Sequence, residues 1–520
     1  MGETPTIDSG RVDDPRQTDF LGAFPEVPKV NGRDIPRTNG HDVADIPSEP
    51  EIEPPRVVDP REPLTIAKLF AQDRHTQDGL RTLLHHQDSF MSWGGTHYAD
   101  LPREQVRGQI YDFLEPMLIE GKKGELQPFR PTTRKVNDVL DALRSVAQVH
   151  GHVAAPAWLD SPPFPAREVI ACANGLLHLP TGRLIPHSPN FYCTSALGYA
   201  YDPAAPEPAE WLNFIDSIWP DDIEARETLQ DMFGYYLGND TDQQKIPLIV
   251  GPKRSGKGTI ARAVTAMLGQ DSVVYPTLTT LAGPFGSESL IDKKLAIVAD
   301  ARISGRADTQ VMAERLLSIS GEDSQTVDRK NKTAWSGRLP TRFLLMSNEL
   351  PQIGDASGAL SGRFIVLTMT VSWFGREDRG LTDRIMRELP GILNWSIAGW
   401  KRLRARGHFV QPDSSQEAIQ ELEELSSPIT AFLREHCLIE PGRTVGVDSL
   451  FEVWKKWCTD QNREHPGNKA SFGKQLRAAL PWLTKPKQEG SRGDRERMYE
   501  GIGLKPYHYQ DGNSDGFNDL

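Results

Sequence analysis

Leu248-Ile249-Val250-Gly251-Pro252-Lys253-Arg254-Ser255-Gly256-Lys257-Gly258-Thr259-Ile260-Ala261-Arg262 joins an apolar strand to a helix through a glycine-bounded loop that carries a lysine. The helix that follows places Ala261, Val264, Met267 and Leu268 on one apolar side, which is the context a phosphate-binding loop requires. The first amides of such a helix face outward, its N-terminus is electropositive, the glycines let the backbone approach a ligand, and Lys257 can reach terminal phosphates. Gly251, Pro252, Lys253, Arg254, Ser255, Gly256, Lys257, Gly258 and Thr259 are therefore the candidate nucleotide-contacting residues. A tight glycine turn before an ordinary helix is the competing reading. One position departs from the usual pattern: the residue after the lysine, where a hydroxyl normally ligates Mg²⁺, is Gly258, and the hydroxyl arrives at Thr259. Nucleoside monophosphate kinases can also carry Gly-Lys-Gly-Thr, so the loop alone specifies a nucleotide-binding protein and not which one.

Further along, Leu295-Ala296-Ile297-Val298-Ala299-Asp300 is a short apolar run ending in an acid, as a buried parallel strand does. Asp300 at its tip is the candidate magnesium residue, whereas Asp292 comes too early. No second acid follows directly, which leaves Glu314 and Glu322 as candidates for polarising a water. The segment Val327-Asp328-Arg329-Lys330-Asn331-Lys332 offers Arg329, Lys330 and Lys332 to a phosphate backbone, with a solvated basic hairpin as the plainer alternative. Arg342 to Met346 forms a third apolar strand leading to Ser347-Asn348, where the carboxamide can meet a γ-phosphate or orient water. Arg363 precedes a fourth strand, and an arginine so placed either stabilises phosphoryl-transfer charge at a neighbouring subunit's nucleotide or makes a surface ion pair.

The order of loop, acid-tipped strand, basic hairpin, Asn-tipped strand and arginine resembles the superfamily 3 helicases, specifically the phage and plasmid primase-helicase family, from about residue 211 to 400. Gly251 to Thr259, with its displaced threonine, is similar to that family's nucleotide loop; Ser347-Asn348-Glu349-Leu350-Pro351 is similar to its Asn motif, and Asp355 to Arg363 to its arginine-finger segment. The resemblance implies an α/β fold with an AAA+ P-loop NTPase core, ATP and Mg²⁺ as cofactors, and a ring, usually a hexamer, threading single-stranded DNA past basic hairpins. It implies that Lys257 binds the phosphates, Thr259 and Asp300 position the metal, Asn348 senses the γ-phosphate and Arg363 completes a neighbouring site. Many relatives carry an N-terminal primase domain. No closely spaced carboxylate pair for two metal ions is found ahead of the loop, and the sequence leaves open whether primer synthesis is supplied by a separate primase or polymerase as partner.

Around this core the chain divides by composition. Residues 1–62, rich in proline and acids, are expected to be a disordered tail. Residues 63–210 read as a mainly helical domain: Ile66, Leu69, Phe70, Leu80, Leu83 and Leu84 suggest helices, as do Val106 to Leu114 and Val136 to Val146. Trp93 to Tyr98 and Asn174 to Leu184 read as hairpins. Residues 211–385 are the expected motor and 386–426 a helical lid. Residues 427–510 have three helical patterns and a basic stretch from Lys485 to Arg497, expected to be a winged-helix-like domain offering Lys469, Lys474 and Arg477 to duplex DNA, with a helical cap as the alternative. Residues 511–520 are an expected frayed tail.

The chain of 520 residues carries a net charge of -12, which argues against a generally basic nucleic-acid binder and confines any DNA contact to a channel or one small domain. No apolar run approaches the ~20 residues that span a bilayer, and the expected location is cytoplasmic. The four cysteines, Cys172, Cys193, Cys437 and Cys458, lack metal-ligand spacing and read as buried free thiols. The histidines likewise show no ligand spacing. The function that the resemblance implies, and the one expected, is ATP-driven DNA unwinding in phage, prophage or plasmid replication. An origin-binding or loader protein that does not unwind and a nucleotide kinase remain as alternatives.

Overall fold

The computed structural model describes residues 56–301, 306–330, 333–351, 360–461, 466–489 and 496–506. Most of the expected N-terminal tail, Lys332, residues 352–359 of the arginine segment and the expected frayed C-terminus lie outside the described residues.

Five short apolar runs form a parallel sheet: β1 Ile246–Val250, β2 Val273–Val274, β3 Leu295–Val298, β4 Arg342–Ser347 and β5 Phe364–Thr368. Their spatial order is β2-β3-β4-β1-β5, and every adjacent pair is parallel. Alternate residues feed two cores, because successive side chains of a strand point to opposite faces. Ile249, Ile297, Leu344, Met346 and Leu367 enter one core, and Leu248, Val298, Phe343, Leu345 and Val366 the other. Both faces are therefore covered, and the strands read as nearly continuous apolar runs.

Helices α1 Ile223–Leu237, α2 Lys257–Leu268 and α4 Leu389–Arg406 bury Phe233, Val264 and Trp400 in the first core. Helix α3 Arg306–Ser320 buries Met312, Leu316 and Ile319 in the second. Helix α4 lies in the segment expected to be a lid, residues 386–426, and packs closely on α1. A methyl group at Gly399 would lie 2.2 Å from the Gln230 carbonyl oxygen, and one at Gly234 would lie 2.2 Å from the Trp400 nitrogen. So close an approach, with Asp231 buried against Arg402 at 2.6 Å and against Arg406, makes α4 a wall of the core. The following helix, Gln416–Ser426, buries Leu422 in the second core.

Ahead of the sheet, helices Pro63–Arg74, Arg103–Leu114 and Thr133–Val146 share a core built on Phe70, Ile110, Phe113, Leu140 and Leu143. The mainly helical expectation ends there. Leu80, Leu83 and Leu84 lie on strands, Leu80–Arg81 and Leu83–His86. Leu83 packs into the helical core and Leu84 into a separate cluster with Met91 and Tyr98, so this adjacent pair fills both faces of a strand. The two expected hairpins are present: Trp93 pairs with Tyr98, and Gly175–His178 pairs with both Val169–Cys172 and Arg183–Ile185.

The C-terminal unit runs helix Pro428–His436, strand Cys437–Gly446, helices Val447–Asp460 and Lys469–Ala479, then strands Lys487–Glu489 and Glu496–Leu504. Glu496–Leu504 is the central strand of its antiparallel sheet. All four cysteines are buried and free. Among the described residues no helix is long and apolar enough to cross a membrane.

Candidate functional site

The carboxyl ends of β1, β4 and β3 adjoin, and each carries one of the polar groups singled out in the sequence. Gly251 N donates to Ser347 O at 3.2 Å and Ala301 N to Met346 O at 3.0 Å, so the ladders continue past the strand ends. The backbones of Gly251, Asn348 and Asp300 therefore stand side by side, at the spacing of neighbouring strands, about 4.8 Å. In open α/β sheets ligands bind in the crevice outside these carboxyl ends, where the strand order reverses. That reversal falls at β1, whose successor β2 lies across β4 and β3 while β5 lies on its other side.

The loop enters α2 through left-handed backbone at Arg254 (φ 61°) and Gly256 (φ 105°). Gly256 precedes α2 with no side chain capping it, and its carbonyl oxygen accepts from Thr259 N at 2.9 Å and Ile260 N at 3.1 Å. A methyl group at Gly251 would meet Met369 at 2.7 Å, so only glycine lets the loop lie against the residue after β5.

Lys257 Nζ donates to Gly251 O at 2.6 Å, Pro252 O at 2.9 Å, Ser255 Oγ at 3.3 Å and Asn348 Oδ1 at 3.1 Å. The ammonium is thus drawn into the loop, and burial lowers its pKa from the ordinary lysine value. The Thr259 hydroxyl accepts from Arg262 Nη2 at 3.2 Å, and Arg262 also reaches Thr382 Oγ1 at 3.2 Å. A methyl group at Gly258 would lie 3.3 Å from Arg262 Nη1. Gly258 therefore makes room for a guanidinium beside the displaced threonine, a role that the sequence reading missed although Arg262 is one helical turn away.

Magnesium requires oxygen donors. Asp300 and Thr259 would supply such oxygens, and the Thr259 hydroxyl already accepts from Arg262. Of the two carboxylates considered for activating water, Glu322 pairs with Arg338 at 2.7 Å and accepts from Thr241 ahead of β1, and Glu314 accepts from Gln310 along α3. Among the described residues no group of three or more His, Cys, Asp or Glu side chains could hold a metal ion by itself.

Arg363 is not brought to the loop of its own chain. It precedes β5 at the end where Phe364 pairs with Ile246, the opposite end of β1 from Gly251. That is about 13 Å of strand away, at roughly 3.3 Å per residue. Its Nη1 lies 3.4 Å from Gln244 Oε1 and 3.4 Å from Ser320 Oγ.

The basic hairpin forms, with Ser324–Val327 paired to Trp335–Arg338. Its tip meets the N-terminal unit: Arg329 Nη2 donates to Gln87 O at 3.2 Å and Thr333 Oγ1 to Asp88 Oδ2 at 2.9 Å. Lys330 is exposed, and its backbone N donates to Glu288 Oε2 at 3.4 Å. In the C-terminal unit Lys474 is exposed and Arg477 half-buried, while Lys469 is tied to Asp448 at 2.6 Å.

Residues 80–220 match the family described as D5 N terminal like, and residues 249–363 match a family of unknown function (DUF5906). Among solved structures, the apo structure of the NrS-1 C terminal region (305-718) is 12% identical, covers 85% of this chain and 100% of its own, and superposes with a TM-score of 0.48. The A form apo structure of the same region is 11% identical, covers 84% of this chain and 99% of its own, with a TM-score of 0.46.

Proposed function

We propose that the chain is an ATP-driven DNA helicase of mobile-element replication, with an AAA+ type P-loop core that works as a ring-shaped oligomer. The observation that carries this reading is the adjacency of the lysine loop, Asn348 and Asp300 on three neighbouring strand ends, with β4 inserted between the loop strand and the acid strand. A γ-phosphate entering the loop would replace the carbonyl partners of Lys257 and meet the Asn348 carboxamide. Loop amides and the α2 N-terminus would hold the remaining phosphates. Asp300 would hold the magnesium ion that accompanies ATP, and Thr259 could join it only once Arg262 moves away. Bound Mg-ATP supplies the phosphoanhydride whose hydrolysis drives the motor.

Arg363 in this reading serves the neighbouring subunit, because its own loop lies at the far end of the sheet. DNA would be contacted by Arg329, Lys330 and Lys332 of the hairpin and, in the C-terminal unit, by Lys474 and Arg477. The helix-strand-helix-helix-strand-strand order there, with the last strand central, supports a winged helix whose third helix reads DNA. The test is ATP hydrolysis by the purified protein with and without single-stranded DNA, beside strand displacement on a forked duplex. Stimulated hydrolysis with unwinding is expected; binding and assembly without unwinding would favour a loader, and phosphoryl transfer to a nucleotide without DNA stimulation would favour a kinase.

A further inference from the structure

Phe374 is 76% exposed, the most open of the large apolar side chains among the described residues. It sits at the first corner of a four-residue turn, Trp373 to Arg376, closed by Arg376 N donating to Trp373 O at 2.8 Å, with Gly375 at φ 76° in the second corner. This is the type II turn geometry, in which the second corner needs glycine and the first projects outward. The turn is fastened to the phosphate loop. Ser372 Oγ donates to Lys253 O at 2.8 Å, Trp373 N donates to Arg254 O at 3.0 Å, and Arg254 pairs with Glu377 at 3.3 Å. Past the turn, Thr382 holds Arg262 on the first turns of α2. The segment from Ser372 to Thr382 thus lines the outer side of the loop from Lys253 to Arg262.

Direction follows from the sheet. The terminal phosphate of a nucleotide would be marked by Asn348 and Asp300, which lie on the β4 and β3 flank of β1. The nucleoside must then leave toward the other flank, where β5 and the segment after it lie. Trp373 is half-buried against the core, whereas Phe374 is exposed on the turn beside that exit.

We infer that Phe374 is the platform on which the base of the bound nucleotide stacks, held in place by the fastening of its turn to Lys253 and Arg254. This rests on the nucleotide-binding reading of the loop. An aromatic face accepts any base, so the platform adds affinity for nucleoside triphosphates without choosing among them.

The test is calorimetric titration of the full chain with a non-hydrolysable ATP analogue, the corresponding GTP analogue and inorganic tripolyphosphate. Phe374→Ala and Phe374→Leu should each lose about tenfold or more in affinity for both nucleotides, the range of base-aromatic stacking, with tripolyphosphate binding unchanged. Phe374→Tyr should bind as the parent does. Undiminished nucleotide affinity in Phe374→Leu overturns the inference, as does an equal loss for nucleotides and tripolyphosphate, which would mean the loop itself had been disturbed. A change in oligomeric state with nucleotide affinity intact would assign the ring to a contact between copies and also overturn it. If the parent protein binds neither nucleotide nor tripolyphosphate, the nucleotide reading of the loop fails and the platform fails with it; nucleotide binding that is indifferent to Phe374 refutes the platform alone.

Discussion

Lys257 Nζ and Asn348 Oδ1 lie 3.1 Å apart, joining the loop after β1 to the tip of β4. The contact brings the cation that would meet a terminal phosphate and the amide that would sense it into one hydrogen-bonded unit. The two residues should therefore fail differently. Lys257→Ala is expected to abolish nucleotide binding, whereas Asn348→Ala should bind nucleotide and lose about a hundredfold in hydrolysis, as when one donor to a developing charge is removed. Titration and steady-state ATPase on both variants check this; equal binding losses would contradict it.

Burial lowers the Lys257 pKa, and a bound phosphate would raise it again. Affinity needs the protonated amine, so it should be complete below the lowered value and fall as pH rises through it, at a lower pH than an ordinary lysine would impose. A Lys257→Arg protein that still binds should show no such fall, because its guanidinium stays charged. Affinity measured across the alkaline range tests the sign.

Arg363 stands at the end of the sheet opposite the loop, so a catalytic role needs a second chain. Lys257→Ala and Arg363→Ala proteins should each be inactive alone and regain ATPase when mixed, as intact sites form between unlike subunits. Absence of recovery over a range of mixing ratios, with assembly verified, would remove Arg363 from the site.

The hairpin tip is engaged by Gln87 and Asp88 of the N-terminal unit. If that tip binds DNA, Asp88→Ala removes a competitor and should raise affinity for single-stranded DNA by a few-fold, read by fluorescence anisotropy at fixed salt. Weaker binding would show that the turn supports the hairpin instead.

Gly399 approaches Gln230 too closely for any side chain. Gly399→Ala should cost about 1–3 kcal/mol of stability through overpacking, seen as a lower midpoint in chemical denaturation.

Strands β1, β3, β4 and β5 could be read from the sequence because each is built on a run of at least three consecutive apolar residues, the pattern of a strand buried on both faces. Leu83 and Leu84 misled because an adjacent apolar pair fits a buried helix as well as a strand between two cores. Strand Cys437–Gly446 was missed since its middle is exposed and its pairing with Glu496–Leu504 rests on backbone bonds interrupted by an irregularity between Ile439 and Thr444. The loop, Asn348 and Asp300 were legible as separate signals, whereas their adjacency depends on strand order. The turn at Phe374 was invisible for a related reason: it is fastened through carbonyl oxygens of Lys253 and Arg254, which carry no residue-type signature.

The most direct measurement is strand displacement on a forked duplex, recorded with ATP hydrolysis for the parent protein and for Lys257→Ala. The account predicts unwinding coupled to hydrolysis that single-stranded DNA stimulates, with both lost in the variant. Undiminished DNA-stimulated hydrolysis by Lys257→Ala would contradict it.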